Sequence, residues 1–319
     1  MTIRVALIGR GMAGTIFHAP LIRAVPELEL VAVAGAADAA SAIASPAVDL
    51  VVVATPNLTH VPLAAAALEA GRHVVVDKPF AVDPAEGAAL IDLAAAKGRV
   101  LTVFHNRRWD GDFLTARELV RSGRLGEIAL FEAHWDRFRP DPKPGWRERP
   151  EPGSGLLWDL GPHLIDQALL LFGRPDRVSG DVAVQRRGAL ADDYFELTLH
   201  YGTMRAKLSA STLVAEPRPR FAIHGTGGSF VKYGLDPQEE TLKRGSAPSG
   251  PGNDPEARAS DGILTRADGR RETVPTLAGR YLAFYEGVAA AIADGAPPPV
   301  DPRDALEGVE IIAALRSGA

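Results

Sequence analysis

The first third of the chain alternates short apolar runs with helix-forming stretches. Residues 3–8, 28–34, 49–54, 73–76 and 100–104 are predominantly apolar and of strand length. They read as strands buried on both faces, as in a parallel sheet. Helices are predicted between them. One covers 15–25, with Pro20 interrupting its register. A second covers 63–70 and stops at Gly71, and a third covers 83–97, with Pro84 in its first turn. Only 35–48 separates the second and third strands. That leaves room for one short helix, where a doubly wound half would carry another strand and helix.

The pattern changes further on. A helix over 112–122 precedes a strand over 128–136, then a loop rich in Pro, Arg and Trp over 137–152. Strands follow at 178–185, 195–200, 204–212, 220–224 and 229–233. Their period of two, and the turns at 201–202 and 226–228, imply a largely antiparallel sheet. Residues 236–262 are polar and broken by four prolines, which predicts a long loop. Helices over 281–294 and 302–315 close the chain.

Composition narrows the function. The net charge of −5 gives no cationic surface for nucleic acid or anionic membrane. The 319 residues contain no Cys, which excludes disulfides, thiolate metal sites and a Cys nucleophile. The longest uncharged run, 50–68, holds Pro56 and Pro62 and is a poor membrane span. The opening residues read as a strand rather than an export signal, so a cytoplasmic protein is expected.

The first strand runs directly into Gly9-Arg10-Gly11-Met12-Ala13-Gly14. Strand, G-x-G-x-x-G, helix, strand is the setting in which glycines let the backbone approach a pyrophosphate, which then meets the helix N-terminus. These six residues are candidate cofactor contacts. The expected fold is α/β. A Rossmann dinucleotide-binding domain, abridged after its second strand, occupies 1–120. An α+β domain with a large, mainly antiparallel open sheet occupies 121–319, and its final helix is a candidate to pack back on the first domain. The second strand ends in Ala34-Gly35-Ala36-Ala37, without the acid that usually holds the adenosine ribose. Arg10 is either a clamp for a 2′-phosphate or a solvated loop cation.

Three successive strand ends then carry polar groups, at the edge where open α/β sheets bind ligands. They are Ala54-Thr55-Pro56-Asn57 with His60, Lys78-Pro79, and Asn106-Arg107-Arg108-Trp109. Lys78 alone could equally be a surface lysine. Later, Trp158-Asp159 and His163 fall in a stretch that, if helical, puts Asp159 and His163 on one face at i, i+4. That pair suits either proton transfer or a structural hydrogen bond. No second His/carboxylate pair has convincing spacing, so no metal is expected.

Taken together, GRGMAG at 9–14, ATPNLTH at 54–60, DKP at 77–79 and WDLGPHLID at 158–166 resemble the Gfo/Idh/MocA family of nicotinamide-dependent oxidoreductases. FHAPLI at 17–22 and HNRRWDGDF at 105–113 are most similar to its subgroup of NADP-dependent scyllo-inositol dehydrogenases. The resemblance implies NADP or NAD as cofactor and a sugar, inositol or related polyol as substrate. It implies Lys78 at the nicotinamide ribose, His163 as proton donor and acceptor, and Asp159 as its support. Arg107 would join Thr55, Pro56, Asn57, His60, Pro79 and Asn106 at the cofactor. Arg108, Trp109 and Trp158 would border the substrate. The family commonly assembles through its C-terminal sheet, which implies a homodimer or homotetramer. Asp77 stands where the family usually has Glu, and the segment 35–48 is shortened. A dinucleotide-binding regulator without catalysis is the competing expectation.

Overall fold

The structure, a computed structural model, describes residues 2–246 and 261–317. The chain forms two compact units. The first comprises Met1–Trp109, Gln238–Gly250 and Arg280–Ala313, and the second Asp110–Pro237, Pro251–Gly279 and Ala314–Ala319.

In the first unit β1 (Ile3–Ile8), β2 (Leu28–Ala34), β3 (Leu50–Val53), β4 (His73–Asp77) and β5 (Leu101–Phe104) form one sheet in the order β2-β1-β3-β4-β5. Every pairing is parallel. All four residues of β3 are fully buried, as a central strand covered on both faces requires. A widened helical turn over Ala13–His18 continues into α1 (Ala19–Ala24). The widening falls beside Pro20, which has no N–H to give, and the Ala19 N–H reaches back to the Gly14 carbonyl. Between β2 and β3 stands one short helix, α2 (Ala39–Ala44). Then come α3 (His60–Glu69) and α4 (Pro84–Lys97), the latter capped by Asp83, whose Oδ1 accepts the Ala85 N–H at 2.7 Å. Strand order reverses on either side of β1, which places the ligand-binding edge at the carboxyl ends of β1 and β3.

The second unit begins with α5 (Gly111–Arg121), β6 (Ile128–Asp136) and α6 (Leu156–Phe172). Strands β7 (Arg177–Ala183), β8 (Tyr194–Tyr201), β9 (Met204–Ser211), β10 (Phe221–Gly225) and β11 (Gly228–Lys232) follow. The sheet is completed by β12 (Gly262–Arg266) and β13 (Arg271–Val274). Its order is β13-β12-β11-β10-β6-β9-β8-β7, antiparallel except where β6 meets β9. Phe195, Leu197, Leu199 and Leu208 are fully buried on the face that carries α6. Arg220 ties that helix to the sheet. Its Nη2 donates to Gln167 Oε1 at 2.8 Å, and its guanidinium lies 4.9 Å from the Trp135 ring centre.

Two elements differ from the sequence expectation. Part of the expected 236–262 loop is helical, α7 (Gln238–Lys243), which belongs to the first unit. Its sequence, QEETLK, buries only Leu242 and so offers no apolar stripe to read. The remainder, 247–260, lies outside the described residues. Strands β12 and β13 extend the sheet past residue 233, and both carry charged residues, as in Arg271-Glu272-Thr273-Val274, which hides them as strands. In the last third, α8 (Leu282–Ala293) and most of α9 (Pro302–Ser317) belong to the first unit. Among the described residues no helix is long and apolar enough to cross a membrane, and no group of three His, Asp or Glu could hold a metal ion.

On the sheet face opposite α6, the His134 ring lies 2.8 Å from the Ser209 hydroxyl. Burial, reinforced by Arg218, pushes its pKa down to about 4 from an ordinary 6.5. A depressed histidine pKa gives stability that is full above 6.5 and lost as pH falls toward 4, because the unfolded chain binds the proton first. The urea midpoint of wild type should therefore fall more than that of His134→Gln between pH 7 and pH 5. Parallel midpoints would remove His134 as a source of acid sensitivity.

Candidate functional site

Steric fit dictates the glycine loop. Gly9, at φ +131°, carries its backbone so close to β3 that a Cβ would stand 2.0 Å from the Ala54 carbonyl oxygen. The Gly9 N–H donates to Ala34 O, and the Ala54 N–H to Ile8 O, both at 2.8 Å, so three strand ends are pinned together. Gly14 is equally constrained, since its Cβ would fall 2.1 Å from Gly9 O. Gly11 is different. Nothing of the protein lies within 4 Å of its missing Cβ. Two glycines are thus required by the chain itself, and the third leaves exposed, open backbone of the kind that lets a pyrophosphate approach closely. Met12 is exposed and Ala13 half-buried on the same loop. These residues fit a dinucleotide.

Arg10 reaches from this loop over the end of β2. Its Nη2 donates to Val33 O at 3.2 Å and to Asp38 Oδ2 at 3.0 Å, and both side chains of the pair are more than half exposed. The first acid after β2, Asp38, four residues past its end, is thus paired with the loop cation.

The loops after β3 and β4 are joined by His60. Its fully buried ring lies with Nδ1 2.8 Å from Pro79 O and Nε2 2.9 Å from Thr55 O. Burial pushes its pKa below the ordinary histidine value, so the ring is neutral and donates to one carbonyl at a time. Asn57 is buried on the short turn Asn57–Thr59, and Pro56 is exposed beside it. Lys78 is half-buried. Its own N–H donates to Asp77 Oδ1 at 2.8 Å.

At the end of β5, Asn106, Arg107 and Arg108 are buried on one turn, with Trp109 half-buried after them. Arg107 donates to the Tyr281 hydroxyl and pairs with Glu239 of α7. Arg108 pairs with Asp304 of α9 at 3.1 Å. Both guanidinium groups thus serve carboxylates within the first unit. The Trp109 indole packs edge-on against Phe284, with ring centres 5.8 Å apart.

In the second unit, α6 does carry Asp159 and His163 one turn apart. Trp158 is buried just before them. Asp159 is bracketed by two guanidinium groups, Arg137 Nη1 at 3.3 Å from Oδ2 and Arg147 Nε at 3.3 Å from Oδ1. His163 is buried, its ring centre 5.7 Å from that of Trp135. Pro162 sits inside the helix between them, so the Trp158 carbonyl receives no helical N–H there.

The helix that presents this pair begins abruptly. Gly155 precedes it at φ +93°, and a Cβ there would meet Asp192 Oδ1 at 2.0 Å. Asp192 accepts the Leu157 N–H on Oδ2 and the Leu156 N–H on its carbonyl, both at 2.7 Å. Neither Asp192 nor the arginine pair on Asp159 stood out in the sequence. The available signals were two adjacent acids at 192–193 just before a strand, and the arginines, Arg137 and Arg147 among them, of the Pro-, Arg- and Trp-rich loop over 137–152.

A parallel sheet with this glycine loop, followed by an α+β unit bearing a buried histidine on a helix, defines a nicotinamide-dependent oxidoreductase. Residues 3–105 match the NAD-binding Rossmann fold of the Gfo/Idh/MocA oxidoreductase family, and residues 117–318 match its C-terminal alpha/beta domain. The chain belongs to this family and is an NAD(P)-dependent dehydrogenase. It is 46% identical over 329 aligned residues to the oxidoreductase YdgJ of Escherichia coli (strain K12), across 97% of this chain and 94% of that one. Identity to the scyllo-inositol 2-dehydrogenase (NADP(+)) IolW of Bacillus subtilis (strain 168) is 37% over 331 residues, across 98% and 92%. The solved structure of the oxidoreductase yvaA from Bacillus subtilis matches with a TM-score of 0.94 at 36% identity, across 99% of this chain and 95% of that one.

Because the Asp192 carboxylate accepts the Leu157 N–H and pairs with Arg316, while the carbonyl that meets Leu156 survives substitution, Asp192→Ala should destabilise the protein by about 1–2 kcal/mol. Urea unfolding measures this. A midpoint equal to that of wild type would show that the helix does not depend on the cap.

Proposed function

We propose that the chain transfers a hydride between NADP or NAD and a carbinol carbon of a sugar, inositol or related polyol, with His163 carrying the proton. The observation that carries this reading is a buried imidazole on the same helical face as a carboxylate already neutralised by two guanidinium groups. The similarity to IolW supports the substrate class and favours NADP.

The nicotinamide, when bound, supplies or accepts the hydride. His163 takes the hydroxyl proton as the carbinol is oxidised and returns it in the reverse direction. Its burial against Trp135 keeps bulk water from competing for that proton. Asp159 is held as an anion by Arg137 and Arg147, which suits it to accept hydrogen bonds from neighbouring hydroxyls rather than to act as a second base. The Lys78 ammonium would hold the nicotinamide ribose and is suited to steady negative charge developing on a carbonyl oxygen. The Arg10–Asp38 pair, at the carboxyl end of β2, is read as the meeting point for the adenosine ribose. A 2′-phosphate would replace Asp38 as the partner of Arg10, whereas a ribose diol would be met by Asp38. The open sheet face opposite α6, with Glu196 and Lys207 exposed, is proposed to meet a second copy of the chain.

Two measurements test this. A panel of polyols and sugars including scyllo-inositol, followed at the nicotinamide absorbance band, should give turnover. His163→Ala should lower it by about 10²–10⁴ while leaving NADPH affinity intact. Undiminished turnover in that variant would end the proton-transfer role, and cofactor binding without turnover by wild type would favour a regulator. Separately, Arg10→Ala should weaken NADPH by about tenfold and NADH far less. Equal losses for both cofactors would remove Arg10 from cofactor discrimination.

A further inference from the structure

Behind Lys78 lies a polar cluster that the proposed reaction does not use. His18, at the end of the widened turn, and Tyr285, on α8, are both completely buried. The Tyr285 hydroxyl lies 2.6 Å from His18 Nδ1. On the other side of the ring, Nε2 faces Asp77 Oδ1 at 3.9 Å. That same oxygen accepts the Lys78 N–H at 2.8 Å. Three side chains from three elements of the first unit therefore converge on one peptide group, the one that launches Lys78.

The chemistry of the groups fixes the direction of the hydrogen bonds. A carboxylate only accepts, so the His18 tautomer that suits the site carries a proton on Nε2, toward Asp77. Nδ1 is then an acceptor, and the Tyr285 phenol donates to it. Burial, with Asp77 nearby, pushes the phenol pKa well above its ordinary value, so the hydroxyl keeps its proton. Burial pushes the Asp77 carboxyl up, but its interactions with the His18 ring and the Lys78 ammonium outweigh burial and hold its pKa below the ordinary value. The distance from Nε2 to Asp77 is about 1 Å longer than a hydrogen bond, so this link acts through charge and orientation. On the far side of Lys78, the next carbonyl, Pro79 O, lies against His60. The backbone around Lys78 is thus held from both directions by buried histidines.

We propose that Tyr285, His18 and Asp77 form a buried strap that sets the orientation of Lys78, making Tyr285 and His18 positioning residues for its contact with the cofactor. The inference rests on the reading above that Lys78 touches the nicotinamide ribose. Holding a long, flexible side chain by its backbone and its neighbour's carboxylate reduces the freedom it must lose when the cofactor arrives.

The test uses the full-length protein and NADPH, titrated by intrinsic Trp fluorescence, in wild type, Lys78→Ala, Tyr285→Phe and the double variant. Tyr285→Phe deletes one oxygen and keeps the ring packed between Phe104 and Phe284. Lys78→Ala should weaken NADPH about tenfold and Tyr285→Phe about threefold. The double variant should be no weaker than Lys78→Ala, because Tyr285 acts through that side chain. The amide resonance of Lys78, read by NMR without cofactor, should shift in Tyr285→Phe and shift further in His18→Asn. Full additivity in the double variant, or an unmoved Lys78 amide in both variants, would overturn the strap. An unchanged NADPH affinity in Lys78→Ala would instead overturn the role of Lys78 itself, and the amide shifts would still report whether the strap exists.

Discussion

The first unit is organised around a contact too close for any side chain: the backbone of Gly9 against the carbonyl of Ala54. Everything at the ligand edge of the parallel sheet follows from it. It lets β1 turn sharply while its neighbours' ends stay hydrogen-bonded to it, which brings the loops after β1 and β3 side by side. The loop after β4 is then tied to the loop after β3 by one buried histidine ring. Three loops that are distant in sequence become one edge through backbone packing and hydrogen bonds.

The second unit solves a different problem, that of holding charged groups in a mostly apolar helix. Asp159 is made tolerable by arginines from the segment following β6, and Arg220 is buried by stacking on Trp135 and bonding Gln167. In both cases the charge is matched or delocalised before any ligand is considered, which keeps the desolvation cost low. An imidazole placed beside these groups inherits a fixed ring orientation and a dry surrounding. In the proposed reaction the cofactor would carry the redox chemistry, and these side chains would serve position and proton movement.

Much of this was legible in the sequence because it is written in local patterns. The five parallel strands, the glycine turn and the i, i+4 spacing of Asp159 and His163 are each contained within a few consecutive residues. Other features were illegible because they depend on partners far along the chain. The commitment of Arg107 to Glu239 joins positions over a hundred residues apart, and so does that of Arg108 to Asp304. Helix α7 escaped notice because a six-residue polar helix has no stripe, and its role is visible only through the arginine it meets. Likewise nothing around His18 predicts Tyr285, since the two are brought together only when α8 packs against α1.

Gly11 gives the binding loop an unusual evolutionary freedom. Gly9 and Gly14 cannot change without breaking the sheet edge, but a side chain at position 11 would project into empty space and cost the fold little. Under the proposed reading, position 11 is therefore where a single substitution would block the cofactor and leave the protein folded.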